Sequence, residues 1–121
     1  MIKAATLWVV ILLSLSTQNA FSADKNGRYW IYGVGRQSCD IYLEARSKGG
    51  FSALSYKNWI SGYLTASNRA SSDTYNLLGN TDFQGALTWL DSYCEKHAKN
   101  TIYMAMANMT AVYYSKRKKT R

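Results

Sequence analysis

Two cysteines, Cys39 and Cys94, are the only ones in a chain of 121 residues, and 55 positions separate them. What they can do depends on the compartment, and the N-terminus bears on that. Met1 to Lys3 is short and positive, and Ala4 to Leu15 is a run of 12 residues without a charge. A membrane-spanning helix needs roughly 20 such residues. Polar Ser16 to Asn19 follow, and Ala20-Phe21-Ser22 offers small residues at the first and last positions of a cleavage triplet. This is the pattern of a secretory signal peptide over 1–22, and it predicts an exported, periplasmic protein. Export puts the thiols in an oxidising compartment, where one Cys39–Cys94 disulfide is the expected state. Closing a loop of that length stabilises by about 4 kcal/mol in the chain-entropy model. The rival reading, a redox-active thiol, lacks the Cys-x-x-Cys motif that would lower a thiol pKa.

From Ala23 onward the chain keeps 14 basic against 7 acidic residues, a formal +7. It is long enough for one domain and too apolar, at 47% hydrophobic, for a disordered chain. Two Cys and one His are too few for a disulfide-dense miniprotein or a zinc cluster. We divide it into the leader 1–22, an irregular segment 23–37, a helical domain 38–115 and a basic tail 116–121.

Four helical segments are expected after an aromatic stretch, Tyr29 to Tyr32, that would form a short strand or a clamp on the core. Gly33-Val34-Gly35 lacks the third glycine of a phosphate loop, Ser38 standing in its place, so it reads as a bend. Ser38 is placed to cap the first helix, with Asp40 in its first turn and Cys39, Tyr42 and Leu43 on one face. Gly49-Gly50 ends it. Ser55 opens the second, where Tyr56, Trp59, Ile60 and Tyr63 form a stripe and Gly62 would admit a close helix contact. Ser67 to Asn80 reads as a loop pinned by Tyr75, Leu77 and Leu78. Thr81 caps the third, whose stripe is Phe83, Ala86, Leu87, Leu90, Tyr93, Cys94 and His97, widened by Trp89. Asn100 or Thr101 caps the fourth, lined by Ile102, Ala105, Met106, Met109, Val112 and Tyr113. The predicted fold is all-α, a small four-helix bundle with one disulfide joining the first and third helices.

Ser38-Cys39-Asp40-x-Tyr42, the helix around Trp59 with Gly62-Tyr63-Leu64, and Trp89-Leu90-Asp91-x-Tyr93-Cys94-x-Lys96 together resemble the HdeA/HdeB-like group of small periplasmic helical proteins. Trp59-Ile60-Ser61-Gly62-Tyr63-Leu64 carries a second likeness, to the Tai-type immunity proteins. The first resemblance spans most of Ser38 to Val112. It implies an acid-activated chaperone that loosens at low pH, exposes apolar surface and holds unfolding clients. Charge counting is compatible: neutralising seven carboxylates and protonating His97 takes +7 to +15, and self-repulsion on that scale loosens a fold.

Catalytic signals are thin. His97, the only His, ends the third helical stripe and reads as a helix C-terminal residue rather than a base. Asp40 with Glu44, and Asp91 with Glu95, are i, i+4 carboxylate pairs, which read as solvated faces rather than as a hydrolase site. No metal or cofactor is expected. Asn108-Met109-Thr110 matches a glycosylation sequon but falls inside a predicted helix. The expected function is therefore that of a non-enzymatic protein binding polypeptide clients. The alternative is an immunity or inhibitor protein with one envelope-acting partner, and a small hydrolase comes last. Partner-binding candidates are Tyr29, Trp30, Tyr32, Tyr113 and Tyr114, with a homodimer among the partners considered. Lys116, Arg117, Lys118, Lys119 and Arg121 carry five of the +7. They read either as a soluble, frayed helix end or as a site for an anionic membrane surface. Nucleic acid is not expected outside the cytosol.

Overall fold

A computed structural model describes residues 23–121; the segment 1–22, expected from its sequence to be a signal peptide, lies outside the described residues. These residues fall into two units, 23–30 and Ile31–Arg121. The first is a tight turn of its own, in which Asp24 Oδ1 accepts the backbone N–H groups of Asn26 and Arg28, both at 2.8 Å. No strand is present among the described residues, so the aromatic stretch forms none. In the second unit Tyr32 is 79% exposed, and the clamp on the core is absent there.

The second unit contains a single 3-10 turn, Gly33–Arg36, and four helices: α1 Cys39–Lys48, α2 Gly50–Ala70, α3 Phe83–Lys96 and α4 Ile102–Tyr114. The glycines at 33–35 do bend the chain, for a packing reason. The indole of Trp59 lies flat on Gly35, where a Cβ would overlap the ring, and its Nε1 donates to the Tyr32 carbonyl at 2.8 Å.

Caps explain the boundaries. Ser38 does precede α1, but its hydroxyl donates to Asp40 and caps nothing. The N–H groups of Cys39 and Asp40 are instead satisfied by the carbonyls of Asn100 (2.8 Å) and Ala98 (3.0 Å). The start of α1 is thus docked on the α3–α4 connection. Helix α2 begins at Gly50, five residues before Ser55, because Gly49 both ends α1 and precedes α2. It also runs to Ala70, so 67–70 are helical and the loop is shorter than expected. Asp82, not Thr81, caps α3 by accepting from Gly85 N at 2.7 Å. Thr101 caps α4 by accepting from Met104 N at 3.2 Å.

One core is formed by Cys39, Tyr42 and Ala45 of α1, Tyr56, Ile60 and Leu64 of α2, Leu78, and Ala86, Leu87, Leu90 and Cys94 of α3. Ile102, Ala105, Met106 and Met109 of α4 complete it. Leu77 and Leu78 are buried as expected, but Tyr75 is not. Phe83 and Val112, assigned to core stripes, are exposed at the ends of their helices. Gly62 makes no close contact: a Cβ there would meet nothing within 4 Å. The Cys39–Cys94 disulfide is formed and joins α1 to α3, with both residues fully buried.

Candidate functional site

The α1–α3 contact carries the most concentrated chemistry. One turn beyond the disulfide on α1 stands Tyr42, and one further turn on stands Arg46. On α3 Asp91 precedes Cys94 by one turn. Asp91 Oδ1 accepts the Tyr42 hydroxyl at 2.6 Å and Arg46 Nε at 3.0 Å, while Oδ2 accepts Arg46 Nη2 at 2.8 Å. The fork-on-carboxylate geometry is the strong, directional form of such a pair. Burial, and then the bond to Asp91, push the Tyr42 hydroxyl far above its ordinary pKa. The same carboxylate raises Arg46. A phenol held neutral and a guanidinium held charged make a fastener, not an acid–base couple. Tyr42 also meets Tyr56 of α2 edge-on, its ring centroid 5.3 Å away, so this one side chain ties three helices.

The carboxylate pairs of the sequence do not act as pairs. Asp40 faces Ser38 and Lys99, the latter at 3.2 Å, and its carboxyl is held below the usual range, first by the Ser38 hydroxyl. Glu44 bonds Lys48 at 2.6 Å. Asp91 turns to α1, leaving Glu95 exposed on the solvent side. The expectation of a solvated Asp91 face is therefore corrected. Only its partners two helices away reveal its role, and spacing along α3 gives no sign of them.

His97 is the C-cap of α3, and its ring lies 4.4 Å from that of Tyr93, which stacks in turn on Trp89 at 5.3 Å. The Tyr93 oxygen accepts Nδ2 of Asn100 at 2.8 Å and of Asn108 at 3.2 Å. The sequon nitrogen of Asn108 is thus engaged within the fold. No group of three or more His, Cys, Asp or Glu that could hold a metal occurs among the described residues.

Between α1 and the start of α2 lies an open groove of about 490 Å³. Buried Ala45 and Tyr56 and half-buried Val34 are part of its lining, beside polar Gln37, Ser52 and Ser55. Ile41 and Phe51, 47% and 84% exposed, stand at its edges. Its only charged lining residues, Glu44 and Lys48, neutralise each other. Sequence reasoning passed over Ile41 and Phe51. Phe51 falls between the Gly49-Gly50 end of the first expected helix and Ser55, the expected start of the second, whereas it is an outward residue in the first turn of a 21-residue helix.

The proposed partner-binding aromatics are dispersed. Tyr29 and Trp30 belong to the 23–30 unit and are exposed, as is Tyr32 in the other unit. Tyr113 is partly buried against the core, and Tyr114 lies under the Arg117 guanidinium, 3.9 Å from its ring centroid. The basic tail does not fray. Helix α4 ends at Tyr114 and the chain turns back along the α2–α3 connection, where Lys118 and Asn76 form an antiparallel bridge. Arg117 donates to the Asp73 carbonyl at 3.2 Å and the Tyr114 carbonyl at 2.8 Å, and Lys119 pairs with Asp73 at 2.9 Å. Gly79, at φ +62°, lets the Lys116 carbonyl approach where a Cβ would collide. Among the described residues no helix is long and apolar enough to cross a membrane. The chain matches no protein-family model, no curated protein and no solved structure.

Proposed function

We propose that the chain is an exported, non-enzymatic binder of other polypeptides, taking their apolar segments in the groove between α1 and α2. The observation that carries this reading is Phe51, an aromatic side chain left 84% exposed next to half-exposed Ile41 over an apolar floor. On a chain of net +8, this lining is locally neutral. It suits an uncharged apolar segment better than a charged one, since a charge would be desolvated without a partner.

The resemblance to HdeA/HdeB-like proteins adds acid activation to the proposal. In support, Asp40 and Asp73 are held below the usual carboxylate range, Asp40 first by the neighbouring Ser38 hydroxyl and then by Lys99, Asp73 first by Lys119. Their ion pairs vanish when the carboxylates protonate. The disulfide keeps α1 on α3 while the rest loosens. Asp40 and Glu44 point to different partners, and Asp91 turns to Arg46 while Glu95 stays exposed, which supports the non-enzymatic part.

The test is suppression of light scattering from an acid-denatured client at pH 2–3 and from a heat-denatured client at pH 7. Protection is expected, and F51S should weaken it severalfold without unfolding the protein. Absence of protection at both pH values would refute the reading. Capture of a single partner at fixed stoichiometry at neutral pH, with no activity on unrelated clients, would replace it by the immunity or inhibitor function.

A further inference from the structure

The strap formed by 115–121 divides its cations into two sets. Arg117 and Lys119 face Asp73, and the Arg117 side chain is only 13% exposed. They hold the strap down. Lys116, Lys118 and Arg121 are exposed and have no ion-pair partner among the described residues. Asp73 is the one carboxylate of the adjoining connection 71–80, and it is already occupied. The three outer cations therefore have no carboxylate partner there, and the backbone that carries them is tied down at Lys118 by its bridge to Asn76. Half-exposed Tyr75 and Tyr114 accompany them. The Tyr75 N–H donates to the Lys118 carbonyl at 2.8 Å, and Tyr114 ends the helix from which the strap departs.

We propose that this strap is a docking surface for an anionic lipid bilayer. Clustered cations match a negatively charged headgroup layer, and the backbone bridge at Lys118 presents them from an ordered strap. A tyrosine with a wet hydroxyl and an apolar ring settles at headgroup depth; half-exposed Tyr75 suits this, whereas the Tyr114 ring is covered by Arg117 and its hydroxyl donates to the Ser72 carbonyl. That pairing favours a lipid surface over a soluble polyanion, which would use the cations alone. The surface lies on segments other than those of the α1–α2 groove, so it stands or falls independently of polypeptide binding.

Vesicle co-sedimentation of the folded protein at low salt tests the proposal, with neutral phosphatidylcholine vesicles against vesicles carrying a third phosphatidylglycerol. Partition onto the anionic vesicles alone is expected. Each outer cation removed should weaken it about fivefold, so K116Q/K118Q/R121Q should lose about a hundredfold. A control of equal charge change at exposed sites elsewhere, R69Q/K96Q together with K25Q, should lose much less. Y75S should lose severalfold on vesicles while leaving any binding to inorganic polyphosphate unchanged. Three results would overturn the proposal. One is no partition onto anionic vesicles, and another is equal loss in the two triple variants. The third is a Y75S protein that partitions like the parent while polyphosphate competes fully, which would mark a soluble polyanion as the partner.

Discussion

Replacing Asp91 by alanine removes three hydrogen bonds from the α1–α3 contact at once. The Tyr42 hydroxyl then loses its acceptor in a residue with no exposed surface. An unsatisfied buried group of this kind costs about 1–3 kcal/mol. Arg46 loses both its bonds, but its side chain is 21% exposed and water can replace part of what is lost. Its share is therefore nearer the ~1 kcal/mol of an accessible pair than the value for a buried one. Together the loss should be about 2–4 kcal/mol. For a unit of this size that lowers the thermal midpoint by roughly 8–32 °C, at 4–8 °C per kcal/mol. Thermal denaturation followed by circular dichroism, with the disulfide intact in all variants, measures it directly. E95Q serves as the internal control, since Glu95 is exposed on the same helix and should change stability by less than about 0.5 kcal/mol. In a double-mutant cycle Y42F and D91A should be strongly non-additive, because each removes the same bond. Equal, small effects for D91A and E95Q would show that Asp91 is the solvated helix residue its sequence spacing suggests, and would refute the fastener.

Glycines provide an opposed pair of tests. G35A should destabilise by about 1–3 kcal/mol through collision with the Trp59 ring, with a changed tryptophan emission as a second readout. G62A meets no atom within 4 Å and should stabilise by about 0.5–1 kcal/mol, read from chemical denaturation. Loss of the disulfide in a C39A/C94A protein should cost about 2–5 kcal/mol and shift the denaturation midpoint accordingly. The pH dependence follows from Asp40 and Asp73, whose folded pKa values are lowered. Their contribution is fully present above the unfolded carboxylate value near ~4 and is lost as pH falls through the lower folded values. Hydrogen exchange at Tyr75, Asn76 and Lys118 should accordingly lose protection in that acid window, and D73N should abolish much of the protection already at pH 7.

Helix count and the helix order along the chain were legible because they rest on local pattern: the stripe of Ala86, Leu87, Leu90 and Cys94 has one period. The cysteine pairing was legible because the chain offers only two cysteines. What escaped depended on contacts between distant segments. Ser38 looked like a side-chain cap, yet carbonyls of Ala98 and Asn100, some sixty residues on, satisfy the start of α1. Asp91 looked solvated until α1 arrived against it. The tail looked frayed because a run of cations has no local partner, whereas Asp73 supplies one 46 positions upstream of Lys119. Phe51 was hidden by the glycines before it, which mark a chain reversal as readily as a loop. The misplaced start of α2 shares that cause, since Gly49 serves two helices at once.

The sulfurs of Cys39 and Cys94 sit in a region that solvent does not reach. A small reductant can attack only after the helices have parted, so the pace at which thiols appear under mild reductant tracks the frequency of large openings. The protein thereby carries its own chemical clock for excursions from the closed form. Alkylation followed by mass measurement would read that clock without any added probe, at any pH where the reductant is active.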